Sequence, residues 1–330
     1  MFCMDEYRAL LLTAADAAPS VERLAGGDLP DGNVTVRVAF SDLNYKDALA
    51  LNGKARVVRT YPMIPGIDLA GEVMESAAER YRAGDGVVVT GFGLGETRWG
   101  GYAQLTRVPD DFLVTLPGGL SPRDAMAIGT AGLTAMLAVL ALEEHGVRPD
   151  DGEVVVTGAV GGVGSMAVAL LARLGYEVTA STGRLEEEEY LRRLGAHTVA
   201  GRDLFAHPER PLRSERFAGA IDAVGGETLA ALLSMMRRQG AVAATGNAGG
   251  NSLPTTVLPF ILRGVDLLGI DSNFAPLDRR RLAWARLAGL VTDQVLAEVA
   301  RIVPLTAVPD LSREMLQGRV RGRTVVDVNA

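Results

Sequence analysis

Sulfur and imidazole are scarce in this chain, and so is any excess of positive charge. Cys3 is the one cysteine, so no internal disulfide and no thiolate metal cluster can form. The three histidines, His145, His197 and His207, do not have the spacing of metal ligands. Lysine and arginine (33) are outnumbered by aspartate and glutamate (40), for a net charge of −7. That balance argues against a nucleic-acid partner, which needs clustered cations against phosphate. It leaves room for an anionic small molecule, because one local basic pocket is enough. Asp5 and Glu6 stand where a secretory signal would be basic, so a reducing, cytoplasmic setting is expected. Charge is also missing from residues 125–142, a stretch long enough to span a membrane. Its alanines, and the interruptions at Gly129, Thr130, Gly132 and Thr134, instead predict a helix buried between two domains and no membrane partner.

Present in quantity are apolar residues, 48% against 22% charged, and 39 glycines, the composition of a globular chain with many tight turns. Its 330 residues suit two domains. Residues 34–40, 71–74, 86–90 and 108–116 read as short strands between turn residues, a mostly β region. After Ser121-Pro122 the pattern changes. Strands at 154–157, 178–181, 198–200, 219–222, 242–245 and 267–270 alternate with helices at 165–174, 186–194, 228–238 and 255–262. This predicts an α/β fold with a doubly wound parallel sheet. A helix at 279–290 follows. A last helix at 312–316 and a strand at 324–328 are expected to return to the first region. Residues 265–270 read as an apolar edge strand that a second subunit could extend, so a homodimer is expected.

Strand 154–157 runs into Gly158-Ala159-Val160-Gly161-Gly162-Val163-Gly164 and then into an apolar helix. That order suits a dinucleotide. Glycines let the backbone approach the pyrophosphate, and the helix N-terminus offers it free N–H groups. An NAD site places an acid at the end of the second strand; here the residues are Ser181, Thr182, Gly183 and Arg184. Two hydroxyls and a guanidinium suit a 2′-phosphate, so NADPH is the expected cofactor. Arg202, after the third strand, is a second candidate for that phosphate. Gly246, Asn247 and Ser272 follow later strands and are candidates for the nicotinamide half.

Leu43-Asn44-Tyr45-Lys46-Asp47-Ala48-Leu49, Pro62-Met63-Ile64-Pro65-Gly66-Ile67-Asp68-Leu69-Ala70-Gly71, Trp99-Gly100-Gly101, Ile128-Gly129-Thr130-Ala131-Gly132, Leu253-Pro254-Thr255-Thr256 and Gly322-Arg323-Thr324-Val325-Val326 resemble the medium-chain dehydrogenase/reductase superfamily. Within it they look like the acryloyl-CoA reductase group, related to quinone oxidoreductases. The resemblance implies a Rossmann NADPH-binding domain at 125–292 and a GroES-like catalytic domain at 1–124 with 293–330. It also implies reduction of a small 2-enoyl-CoA, acryloyl-CoA to propanoyl-CoA. Tyr45 is then the residue by the nicotinamide and the reacting carbons, and Asn44 a neutral donor that orients either partner. Val160, Gly161, Gly162, Val163, Ile261 and Arg321 complete the expected cofactor contacts. Arg321 and Arg323 read either as phosphate contacts or as solvated charges. Zinc-dependent members carry Gly-His-Glu where this chain has Gly66-Ile67-Asp68, with a ligand cysteine near Asn44. Both are missing, so no metal is expected and Asp68 reads as a buried, paired acid. Two alternatives stay open: an NADPH:quinone reductase, and an NADPH-binding protein that responds to redox state without turnover.

Overall fold

The computed structural model describes residues 6–206 and 209–330, so Cys3 and His207 lie outside it. The chain forms two compact units. The first holds the described residues up to Thr130, with Asn273–Ala288 and Ala300–Ala330; the second holds Ala131–Ser272 and Gly289–Val299.

The first unit opens with an antiparallel hairpin of β1 (Glu6–Leu11) and β2 (Ser20–Ala25). There follow β3 (Val34–Asp42), α1 (Tyr45–Leu51), β4 (Asp68–Ser76), β5 (Gly86–Thr90), β6 (Leu105–Val108) and β7 (Val114–Thr115). β3 is the hub, antiparallel to both β4 and β6, and its Val34, Val36 and Val38 are fully buried. The single strand expected at 108–116 is broken. Pro109 has no N–H to continue the ladder, and a 3-10 turn at Asp110–Phe112 separates β6 from β7. Next comes α2 (Pro122–His145), long and apolar enough to cross a membrane; its most apolar window is 89% buried in the protein, and Gly129 (φ 53, ψ −160) breaks it.

In the second unit β8 (Val154–Thr157), α3 (Gly162–Arg173), β9 (Val178–Ser181), α4 (Glu188–Arg193), β10 (Thr198–Ala200), β11 (Phe217–Asp222), α5 (Gly226–Met235), β12 (Met236–Ala244), α6 (Leu258–Arg263) and β13 (Asp266–Gly269) follow in turn. The strands form one parallel sheet in the order β10-β9-β8-β11-β12-β13. Strand order reverses between β8 and β11, which opens the crevice where ligands of such sheets bind. β8, β9 and β11 are buried at every residue, as strands covered on both faces are. The helix expected at 228–238 instead stops at Met235 and passes straight into β12. The one expected at 255–262 shortens to the six residues of α6.

The remaining elements are α7 (Leu277–Leu290), α8 (Asp293–Val299), β14 (Ala300–Pro304), α9 (Val308–Leu316) and β15 (Arg323–Asp327). β15 pairs with β3 and β14, in the first unit. One cut after residue 292 does not describe this region. Asn273–Ala288 clusters with the first unit, where the fully buried Arg280 donates to the carbonyls of Thr90 (2.6 Å) and Asn273 (2.7 Å) and stacks on Phe92 at 4.0 Å. α8 stays with the second unit, where Glu298 accepts from Arg193 Nη2 at 2.9 Å.

Candidate active site

The turn after β8 has the features a dinucleotide needs. Gly158 is left-handed (φ 62), and Gly161 leads into the first turn of α3, whose leading N–H groups have no acceptor within the helix. At Gly164 a Cβ would come within 2.6 Å of Ala159 Cα, so only glycine lets α3 pack this close to the strand. Val160 is buried, and Gly161, Gly162 and Val163 are partly exposed. Thr157, at the end of β8, donates to Asp222 Oδ1 at 2.5 Å, and Asp222 Oδ2 accepts from Gly225 N at 2.8 Å. Burial raises the Asp222 pKa against those bonds.

At the end of β9, Ser181 and Thr182 are buried, and Thr182 Oγ1 accepts from Arg184 N at 2.9 Å. The Arg202 side chain lies on this turn. A Cβ on Gly183 would stand 2.5 Å from Arg202 Cζ. The turn thus brings the Arg202 guanidinium to two hydroxyls and the Arg184 backbone, and no acid stands at the strand end. Downstream, Glu188 and Glu189 are engaged by Arg192 and Arg193 on α4. Asn247 and Ser272 follow the carboxyl ends of β12 and β13; Asn247 donates to Asn251 (2.5 Å), and Ser272 accepts from Thr134 (2.7 Å). Ile261 is 68% exposed on α6, whose last residue, Arg263, donates to the carbonyls of Ser234 and Met236.

In the first unit the residues around Asn44 form a buried charged network. Asn44 Nδ2 donates to Asp42 Oδ1 (2.5 Å) and Asp68 Oδ2 (3.1 Å), and Asn44 Oδ1 accepts from Arg323 Nη1 (3.1 Å). Arg323 also donates to Asp42 Oδ2 (2.5 Å) and to Ala127 O (3.2 Å). Asp68 accepts from Thr130 N (2.6 Å) and Thr130 Oγ1 (2.5 Å). Asp42, Asp47, Asp68 and Arg323 are at most 2% exposed. Gly129 makes the network possible. Its φ of 53 suits glycine, and a Cβ there would run into the Asp42 carboxylate and the Arg323 guanidinium.

Two expectations change. Both amide hydrogens of Asn44 are spent inside the protein, so Asn44 orients its own chain rather than a ligand. Arg323 is neither a phosphate contact nor a solvated charge; it is the cation of a buried cluster. Asp68 is the buried, paired acid expected.

Burial, reinforced by Asp68 alongside, holds the Asp42 pKa far above the carboxylate range despite the opposing pull of Arg323. Burial likewise pushes Asp47 up to about 7, although its oxygens accept from Asn44 N and Ile67 N, both at 2.9 Å. Those two bonds fix the start of α1. Its first residue, Tyr45, is 43% exposed on that rigid base. Beside it Lys46 pairs with Glu96 at 2.9 Å. Arg321 is exposed. Sequence reasoning missed Asp42, Asp47, Thr130 and Arg323 as one group. The available signal was three acids within 27 positions of a strand-and-turn region (42, 47 and 68), too apolar to leave them solvated.

Residues 30–118 match the model of the alcohol dehydrogenase GroES-like domain, and residues 162–288 that of the zinc-binding dehydrogenase. The chain is 53% identical to the acrylyl-CoA reductase AcuI of Ruegeria pomeroyi over 94% of each chain. It is 46% identical to the putative quinone oxidoreductase YhfP of Bacillus subtilis, over 95% of this chain and 96% of that one. The chain belongs to the medium-chain dehydrogenase/reductase superfamily. Among solved members, the yhdH oxidoreductase from Salmonella enterica in complex with NADP superposes with a TM-score of 0.95. It is 52% identical and covers 97% of this chain and 99% of that one.

The zinc in the second model's description does not suit this member of the superfamily. Zinc takes three or four converging N, S or O ligands. Among the described residues no group of three or more His, Cys, Asp or Glu could hold a metal ion. Asp68, at the position of the zinc-type glutamate, has its oxygens taken by Thr130 and Asn44.

Proposed function

We propose that this protein uses NADPH to reduce the 2,3 double bond of a small 2-enoyl-CoA, with acryloyl-CoA giving propanoyl-CoA as its reaction. The second unit is the coenzyme-binding domain and the first the catalytic domain. One observation carries the coenzyme: the Arg202 guanidinium lies on the turn of Ser181, Thr182, Gly183 and Arg184, at the strand end where an NAD site needs an acid. The NADP complex of the Salmonella enterica relative supports it. The substrate rests on the identity to the Ruegeria pomeroyi acrylyl-CoA reductase over nearly the whole chain.

Val160, Gly161, Gly162 and Val163 suit the pyrophosphate, with the Gly161 N–H donated to Gly158 O at 2.9 Å and the N–H groups of Gly162 and Val163 opening α3. Ser181, Thr182, Gly183, Arg184 and Arg202 suit the 2′-phosphate, and Asn247 and Ser272 the nicotinamide half. Bound NADPH supplies the hydride for the β-carbon. The chain must stabilise charge on the thioester oxygen and protonate the α-carbon. Tyr45, a half-exposed tyrosine on a fixed helix start, is assigned to that work. A single donor to a developing oxyanion contributes about 3 kcal/mol. Asn44 is a positioning residue that, with Asp47, sets where Tyr45 stands.

The decisive measurement is kcat/KM with NADPH for acryloyl-CoA, crotonyl-CoA and a simple quinone. Acryloyl-CoA is expected to lead. A quinone ahead of both thioesters would transfer the assignment to an NADPH:quinone reductase, the reading favoured by the similarity to YhfP. NADPH binding with no oxidation on any of them would leave a non-catalytic NADPH-binding protein. Tyr45→Phe is expected to lower turnover roughly 100-fold or more, the range of a placed proton donor, with NADPH affinity retained. Unchanged turnover would remove Tyr45 from the chemistry.

The same reading makes the protein a cytoplasmic homodimer. β13 is paired on one side only, and Val257, Ile261 and Leu262 lie 64%, 68% and 50% exposed in the segment that leads into it.

A further inference from the structure

A depression of about 250 Å³ lies in the first unit at the C-terminal end of α1. Ala50 and Val58 give it an apolar lining, and Lys54, Arg56, Arg59 and Tyr61 complete its wall. All four of the latter residues are exposed. None of the three cationic side chains is bonded to a carboxylate among the described residues. In the same unit Arg80 is matched with Asp110 and Lys46 with Glu96. In a chain of net charge −7, three unmatched cations around one concavity make a local positive field that favours an anion. The loop that carries them is also held in a costly shape. Ala55 and Arg56 have φ of 56 and 48, consecutive non-glycine residues in the left-handed region.

The location matters as much as the charge. α1 begins at Tyr45 and ends at Leu51, so the depression lies roughly 10 Å along the helix from the residue assigned to the acyl group. In an acyl-CoA, the pantetheine arm separates the thioester from three phosphates. An acyl group at Tyr45 with its carrier running along α1 would bring those phosphates to the cations. We propose that Lys54, Arg56 and Arg59 form a subsite for the phosphates of the coenzyme A carrier, an inference that rests on the acyl-CoA reading above. Two guanidinium forks and an ammonium suit such a polyanion. Contacts so far from the reacting carbons act on capture of the thioester, and therefore on KM more than on kcat.

The test compares the native protein with Lys54→Gln/Arg56→Gln/Arg59→Gln, using acryloyl-CoA and acryloyl-pantetheine, the same thioester without phosphates. In the native protein kcat/KM for acryloyl-CoA is expected to exceed that for acryloyl-pantetheine at least about tenfold, and the variant should bring the ratio close to one, through KM. Added salt should erode the native preference in the same direction. A ratio that the substitutions leave unchanged overturns the subsite. Equilibrium titration with CoA itself separates the two layers of inference. If the native protein binds CoA at least about tenfold more tightly than the variant but reduces neither thioester, the subsite stands and the proposed activity fails. If both thioesters are reduced equally well, and CoA binds native and variant proteins alike, the activity stands and the subsite fails.

Discussion

At the end of β9, Gly183 leaves room for the Arg202 side chain, while Arg184 N is bonded to the Thr182 hydroxyl. If this turn holds a 2′-phosphate, Arg184→Ala should weaken NADPH about 10- to 100-fold while barely changing NADH, as expected for loss of a charge-assisted contact. Fluorescence titration with both coenzymes measures it, and equal losses would separate Arg184 from the phosphate. Ser181, Thr182, Gly183 and Arg184 are contiguous, on a turn whose place is set by a strand and by glycines, whereas Arg202 meets them only in space. Asn44 was legible as important but not in its role. Its partners Asp42, Asp68 and Arg323 converge only in space, and nothing local to Asn44 says that both amide hydrogens are used.

At the scale of elements, β8, β9 and β11 could be read directly because strands covered on both faces carry few exposed polar positions. The β1–β2 hairpin was missed. β2 is mostly exposed and carries Glu22 and Arg23 in its middle, so it has no apolar run to announce it. β14 was missed for the same reason. α1 was visible only as a motif, and its anchoring by Asp47 has a consequence for stability. The Asp47 pKa rises from 3.8 to about 7 on folding. The folded protein therefore binds the proton more tightly than the unfolded chain does. The stabilisation from this group is complete below pH 4 and is lost as pH rises through about 7. Unfolding free energy from urea titrations should accordingly carry a downward component between those limits, at most about 1.4 kcal/mol per pH unit for one proton. Asp47→Asn should flatten it. A slope identical in the two proteins would show that Asp47 is already ionised well below neutrality.

At the scale of the whole molecule, the expected division into two domains placed β15 with the first unit but missed how the chain alternates before it. A buried arginine with carbonyl partners, Arg280, decides where Asn273–Ala288 belongs, and no hydrophobic period reports such a contact. The unpaired flank of β13 leads to a further prediction. If the proposed homodimer forms through this flank, Ile261→Glu with Leu262→Glu should yield a monomer in sedimentation velocity, because two charges per subunit would have to be desolvated at the interface. A native protein that sediments as a monomer would remove the edge from the assembly.

The Asp42–Arg323 pair closes over 281 positions of sequence. A ribosome therefore delivers Asp42, Asp47 and Asp68 long before the guanidinium that balances them. A nascent chain that ends before β15 has acids to bury and no cation to bury with them, which sets a large penalty against premature compaction of that region. Translation errors that drop the last strand should thus yield chains open to proteolysis rather than folded but inactive copies. The buried arginine thus ties completion of the first unit's polar cluster to its last strand.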